Sequence, residues 1–182
     1  MCLLCIGQAQ AQRYLLGQKG IQLTGGAVDG FQFRKADGQA FFGGIALSTY
    51  TKNGNRWVIG AEYLQKSHEY KDILIPVSQI TAEGGYYLNF LSDPKKTVFF
   101  SIGVSAVTGY ETVNWGKELL FDGATIESKD NFLYGGAVSF EIETFLSDRF
   151  ALLLNARERI LFGSDINKFH TQVGIGFKVI IN

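Results

Sequence analysis

The chain has 182 residues, room for one domain with its own core or for one small closed barrel. Its 17 basic and 17 acidic residues cancel, so bulk charge indicates neither a nucleic-acid partner nor an anionic surface. The 22 Gly, 15 Phe and 8 Tyr against 2 Pro and 1 Met favour strands and tight turns, and no apolar run reaches the ~18 residues of a spanning helix, so the class is all-β.

Near the start, Ala9-Gln10-Ala11 is a small-x-small pattern of the kind a signal peptidase cuts before Gln12, and the residues ahead of it resemble the tail of a secretory apolar segment. Residues 1–11 are therefore expected to be the remnant of a signal peptide, with 12–182 a single barrel domain. Cys2 and Cys5 fall in the removed part, which leaves the mature chain without disulfide or thiol chemistry.

Eight segments with period-two patterning follow, at 21–30, 41–51, 56–66, 78–91, 97–114, 132–146, 150–162 and 171–181. In the first, Ile21 and Leu23 alternate with Gln22 and Thr24. Trp57, Ile59, Ala61 and Tyr63 oppose Gly60, Glu62 and Lys66 in the third. The fourth sets Ile80, Ala82, Tyr86, Leu88 and Phe90 against Thr81, Glu83, Tyr87 and Asn89. In the fifth, Phe100, Ile102 and Val104 alternate with Ser101, Gly103 and Ser105, and Tyr110 with Glu111. Val138, Phe140 and Ile142 oppose Ser139, Glu141 and Glu143 in the sixth, and Leu152, Leu154 and Ala156 oppose Asn155 and Arg157 in the seventh. The last sets Val173, Ile175 and Phe177 against Gly174, Gly176 and Lys178.

The connections alternate in kind. Lys52-Asn53-Gly54-Asn55, Ser92-Asp93-Pro94-Lys95-Lys96 and Ser147-Asp148-Arg149 are short and rich in turn formers, whereas those around 34–39, 67–76, 115–131 and 163–170 are longer and more charged. An up-and-down meander sorts them to opposite ends, the asymmetry of outer-membrane barrels. Outward aromatics fall into two sets, Trp57, Phe90 and Phe100 near the short turns and Tyr63, Tyr110, Tyr134 and Phe162 near the long loops, which predicts two interfacial belts. The expected fold is an eight-stranded antiparallel up-and-down transmembrane β-barrel of outer-membrane type, surrounded by lipid in the outer membrane of a Gram-negative bacterium.

With lipid outside, the charged residues of the strands must face inward. Glu62, Glu83, Glu111, Glu141, Glu143, Arg157 and Lys178 form the predicted interior cluster, in which ion pairing offsets the several kcal/mol an unpaired buried charge would cost. A turn at Asp148–Phe150 would set Glu141 opposite Arg157. Glu158 breaks the pattern, because its parity points it outward.

A catalytic or metal constellation cannot be built from these residues. His68 and His170 fall in predicted outer loops far apart in the chain, with no carboxylate at a metal-ligand offset, and no cofactor is implied. Gly84-Gly85 and Gly135-Gly136 precede no helix and so are not phosphate cradles. In the long segment 115–131, Trp115, Leu119, Leu120 and Phe121 are apolar in a polar context, and form either a partner-docking surface or a cover over the barrel mouth.

Along nearly its whole length the chain resembles the TraO family of conjugative-transposon transfer proteins. The resemblance rests on GIQLTGGAVDGF at 20–31, ALSTYTKNGNRWVIGAEYL at 46–64, YKDILIPVSQITAEGGYYLNFLSDPKKTVFFSIG at 70–103, GYETVNWGKELLFDGATI at 109–126 and RERILFGSDINKFHTQVGIGFKVIIN at 157–182. It implies a non-enzymatic envelope component of the apparatus for conjugative DNA transfer, partnered by other envelope proteins of that apparatus, with no direct nucleic-acid contact and no catalytic or ligand residues to carry over. Two alternatives stand beside it: a soluble lipocalin-like binder, which requires an apolar cavity and a polar exterior, and an outer-membrane barrel enzyme acting on lipid, which requires a polar cluster at the outer rim.

Overall fold

The computed structural model describes residues 15–29, 40–70, 73–113, 130–164 and 168–181. Eight strands form in chain order: β1 (Lys19–Val28), β2 (Ala40–Tyr50), β3 (Arg56–Tyr70), β4 (Ile73–Ser92), β5 (Val98–Val113), β6 (Asn131–Phe145), β7 (Phe150–Phe162) and β8 (Phe169–Ile180). Each pairs antiparallel with the next, and β1 pairs with β8 from Gly20↔Ile180 to Val28↔Gln172, closing the barrel. Between the β2–β3 pair Ala40↔Lys66 and the short turns, closure leaves no strand edge, so the backbone donors of the wall are satisfied within the ladder.

Alternation decides which side of the wall each residue takes. Val104 and Ile175 lie outside at 65% and 64% exposure, while Glu141 and Glu143 lie inside at 3% and 0%. Ile102 and Phe177 share the outer face. A lipocalin-like binder would show the reverse, so that alternative is overturned. The outer aromatics meet in pairs across neighbouring strands, Trp57 with Tyr86 at 4.8 Å near the short-turn end and Tyr134 with Phe162 at 5.7 Å near the long-loop end.

Turn chemistry fits its sites. Between β2 and β3 a single 3₁₀ turn at Lys52–Gly54 needs left-handed backbone at Asn53 (φ 62°) and Gly54 (φ 78°), residues that adopt it at low cost. Asp93 holds the β4–β5 turn by accepting the backbone N–H groups of Thr97 and Val98. A bulge between Asn89 and Leu91 puts Phe90 and Leu91 both on the outer face.

Three expectations need correction. β3 and β4 continue pairing to Tyr70↔Ile73, so most of the predicted 67–76 loop is ladder. That stretch carries no apolar alternation to reveal it. β8 begins at Phe169, which makes His170 a buried inward strand residue instead of a solvated loop histidine. The side chain of His68 lies outside the described residues. Finally, Arg157 stands opposite Ser139 and Glu141 opposite Asn155, two residues from the predicted register. The turn is centred one residue earlier than expected, on Asp148, where the N–H groups of Leu146 and Ser147 both donate to the Phe150 carbonyl.

Placing a cation on the outer face at mid-wall tests the orientation. Val104→Arg is expected to destabilise the barrel in bilayers by ~2–4 kcal/mol, against ~0.5 kcal/mol or less for an ordinary solvated surface site. Urea titration of the vesicle-embedded barrel measures it, and a neutral result would contradict the apolar-outside assignment.

Candidate functional site in the barrel interior

The inward side chains form layers along the axis. At the short-turn end Tyr50, Phe99, Phe145, Ala151 and Ile180 make an apolar floor. Toward the long loops lie two further apolar groups, one of Val107, Leu133, Ala137 and Leu161, the other of Val28, Phe42 and Leu64. Between floor and top sit two sets of charges, each with two cations and two anions.

The lower set joins Arg56 of β3, Glu141 and Glu143 of β6 and Lys178 of β8. Arg56 bonds Glu141 directly, lies 3.6 Å from Glu143, and donates to Ser101 at 3.1 Å. Lys178 meets Glu143 at 3.0 Å and donates to the Tyr50 hydroxyl at 3.0 Å, while that hydroxyl donates to Glu143 at 2.8 Å. The upper set joins Glu62 of β3, Glu83 of β4, and Arg157 and Arg159 of β7. Arg157 bridges Glu83 at 2.9 Å and Glu62 at 3.3 Å, and also donates to Tyr87 and Ser139. Arg159 holds Glu62 at 2.6 Å and donates to Thr81, and Gln172 donates to the same carboxylate at 2.7 Å.

Most of these bonds cross the lumen instead of following the ladder. In the closed order, β3 and β7 stand on opposite walls, as do β2 and β6, so Arg159–Glu62 and Tyr50–Glu143 act as struts. Room for them comes from small inward residues. A methyl group on Gly103 would lie 2.6 Å from the Tyr87 ring, and Tyr87 in turn lies under the Arg56 guanidinium at 4.9 Å.

The predicted cluster is thus real but divided. Glu62, Glu83 and Arg157 meet above, and Glu141, Glu143 and Lys178 meet below. Glu111 stands nearer the long loops, where it accepts hydrogen bonds from Gln79 at 2.7 Å and Ser164 at 2.8 Å. Arg56, Arg159, Tyr50 and Tyr87 were missed. Parity alone would have found both arginines, since Arg56 shares the facing of Glu62 and Arg159 that of Arg157. The apolar residues Trp115, Leu119, Leu120 and Phe121, and the segment 1–11, lie outside the described residues.

At the long-loop rim, Asp29 bonds Lys66 at 2.7 Å, accepts the Thr171 N–H at 3.2 Å and lies 3.5 Å from His170. Partial burial would raise its carboxyl, but the Lys66 hydrogen bond and charge, with His170 and the Thr171 N–H, hold it below the ordinary range. The Ser164 hydroxyl donates to Glu111 while His170 faces Asp29, so no serine–histidine hydrogen bond forms among the described residues. No group of metal-binding side chains occurs among them either.

An apolar outer wall around an ion-paired lumen defines a transmembrane β-barrel of outer-membrane type. Two solved structures share the fold: Neisserial surface protein A (TM-score 0.59, 12% identity, covering 90% of this chain and 97% of that one), and the attachment invasion locus protein Ail of Yersinia pestis, solved with the heparin analogue sucrose octasulfate (TM-score 0.54, 10% identity, covering 91% and 99%). No curated protein matches in sequence. The chain belongs to the conjugative transposon protein TraO family, whose model matches residues 15–181.

Two outcomes are expected. Lys178→Met leaves Glu143 buried with reduced compensation and should cost ~3–5 kcal/mol in urea unfolding, whereas adding Glu143→Gln should recover much of that loss. A double variant no more stable than the single one would contradict the pairing. Asp29→Asn tests the rim. Because the folded carboxyl titrates below its ordinary value of 3.8, its stabilisation is complete above that value and disappears as pH falls through the folded one. The gap in urea midpoint between wild type and variant should therefore be full at neutral pH and close in acid.

Proposed function

We propose that this protein is an outer-membrane component of a conjugative DNA-transfer apparatus in a Gram-negative bacterium, with a structural or docking role. The observation that carries the reading is the conjunction of TraO-family membership with a wall that is apolar outside and ion-paired inside. Lumenal charges braced against one another make a stiff support, and a stiff wall suits the display of loops to partner proteins.

In this reading the partners are other envelope proteins of the apparatus, and lipid surrounds the wall. Contact runs through the long loops, with Trp115, Leu119, Leu120 and Phe121 the first candidates. DNA is not touched directly: acidic and basic residues cancel over the chain and the sequence holds no basic stripe. The role is non-enzymatic and needs no cofactor, because the buried carboxylates of both charge sets face cations and so serve the wall.

Deleting the protein from the donor should reduce mating-transfer frequency to background, with recovery on complementation by the wild-type chain. Complementation with Leu119→Asp and Phe121→Asp together should leave barrel assembly intact, seen as heat-modifiable migration, while transfer stays low. Unchanged transfer after deletion, or fractionation with soluble periplasmic proteins, would overturn the reading.

A further inference from the structure

One acidic side chain stands on the wrong side of the wall. Glu158 of β7 faces outward, between Val138 of β6 and Thr171 of β8, and accepts the Thr171 hydroxyl at 2.6 Å. Among the described residues no cation pairs with it. Tyr134 and Phe162 of the outer aromatic belt lie further toward the loops on the same strands, so the carboxylate sits on the lipid side of that belt. An ionisable group there is costly unless something neutralises it, and glutamate is too short to reach far toward water.

Directly below it on the outer face is a groove of about 670 Å³. Gly25 and Ala156 form its low floor, and Phe140, Leu154, Val173 and Ile175 its sides. The register sets the carboxylate beside the groove's upper row. The row Phe140–Ala156–Val173 lies one outward step below the row Val138–Glu158–Thr171. An apolar slot of this size, within the ~300–1,000 Å³ usual for small-molecule sites, thus lies one outward step from a single anionic acceptor.

We propose that this face binds one lipid with a primary-amine headgroup, its acyl chain in the groove and its ammonium on Glu158. The proposal rests on the outer-membrane reading above. Charge decides the occupant: an ammonium brings N–H donors and a positive charge to an oxygen pair that only accepts. A second copy of the chain would bring another outward carboxylate to the same seam, and an anionic headgroup would be repelled.

The test uses the full-length barrel reconstituted in nanodiscs with equal phosphatidylethanolamine, phosphatidylcholine and phosphatidylglycerol, then extracted, with co-purifying lipid measured by mass spectrometry. A charge-assisted hydrogen bond should enrich phosphatidylethanolamine about tenfold over phosphatidylcholine, which has no N–H donor. Glu158→Gln should return that ratio to the bulk value, and Ala156→Phe, which fills the floor from outside, should abolish retention of lipid. Equal retention of the two lipids by the wild type, or unchanged enrichment in Glu158→Gln, overturns the proposal. So does absence of enrichment together with crosslinking from position 156 to a basic protein in intact envelopes. Heat-modifiable migration of the same samples separates the two readings: a heat-modifiable barrel without enrichment loses the lipid site alone, whereas a chain soluble without detergent loses the membrane reading as well.

Discussion

Charge balance inside a closed wall is the constraint on which the rest of this structure depends. Once apolar residues occupy the outward positions at mid-wall, the polar residues of the strands there have the lumen as their destination, and an eight-stranded barrel is only wide enough for side chains to fill it. Charges sent there cannot be hydrated as they would be in a wide pore. They must find partners on the far side, and the two sets of two cations and two anions meet that need. Had either set carried an odd charge, the desolvation cost of the remainder would have been set against a fold with only ~5–15 kcal/mol of stability to lose.

The layering follows from the same limit. Tyr50, Phe99 and Phe145 at the floor, and Val107, Leu133 and Leu161 above, flank the ion pairs with apolar packing. Low-dielectric flanks strengthen each pair and make each unpaired group costlier. Such an interior suits bracing better than transport, and it leaves the long loops and the outer wall as the surfaces free to distinguish this barrel from others with the same strand number.

Facing was legible in the sequence because it depends on parity. Glu62, Glu83, Glu141, Glu143, Arg157 and Lys178 all point inward as their alternation requires, and the sorting of short and long connections gave the meander. What parity cannot encode is the height at which two inward residues meet. Arg157 was therefore assigned the wrong carboxylate, since its partners come from β3 and β4 across the lumen instead of from β6 beside it. Strand ends past the wall were hidden for a different reason. Where neither face meets lipid the alternation fades, as along β3 beyond Lys66, and at the start of β8 the single outward apolar residue Phe169 is too little to extend the pattern, so His170 read as loop.

That same ambiguity assigns the ion pairs a second task. A one-residue slip between neighbouring strands turns the apolar set inward and is excluded by solvation alone, but a two-residue slip preserves every facing and costs the hydrophobic pattern nothing. The struts remove this degeneracy. Sliding β7 by two residues against β6 would carry Arg157 and Arg159 away from the level of Glu62 and Glu83, leaving guanidinium and carboxylate groups buried at different heights. The ion pairs thus distinguish one register from the others with the same facing, much as a single buried polar residue fixes alignment in a coiled coil.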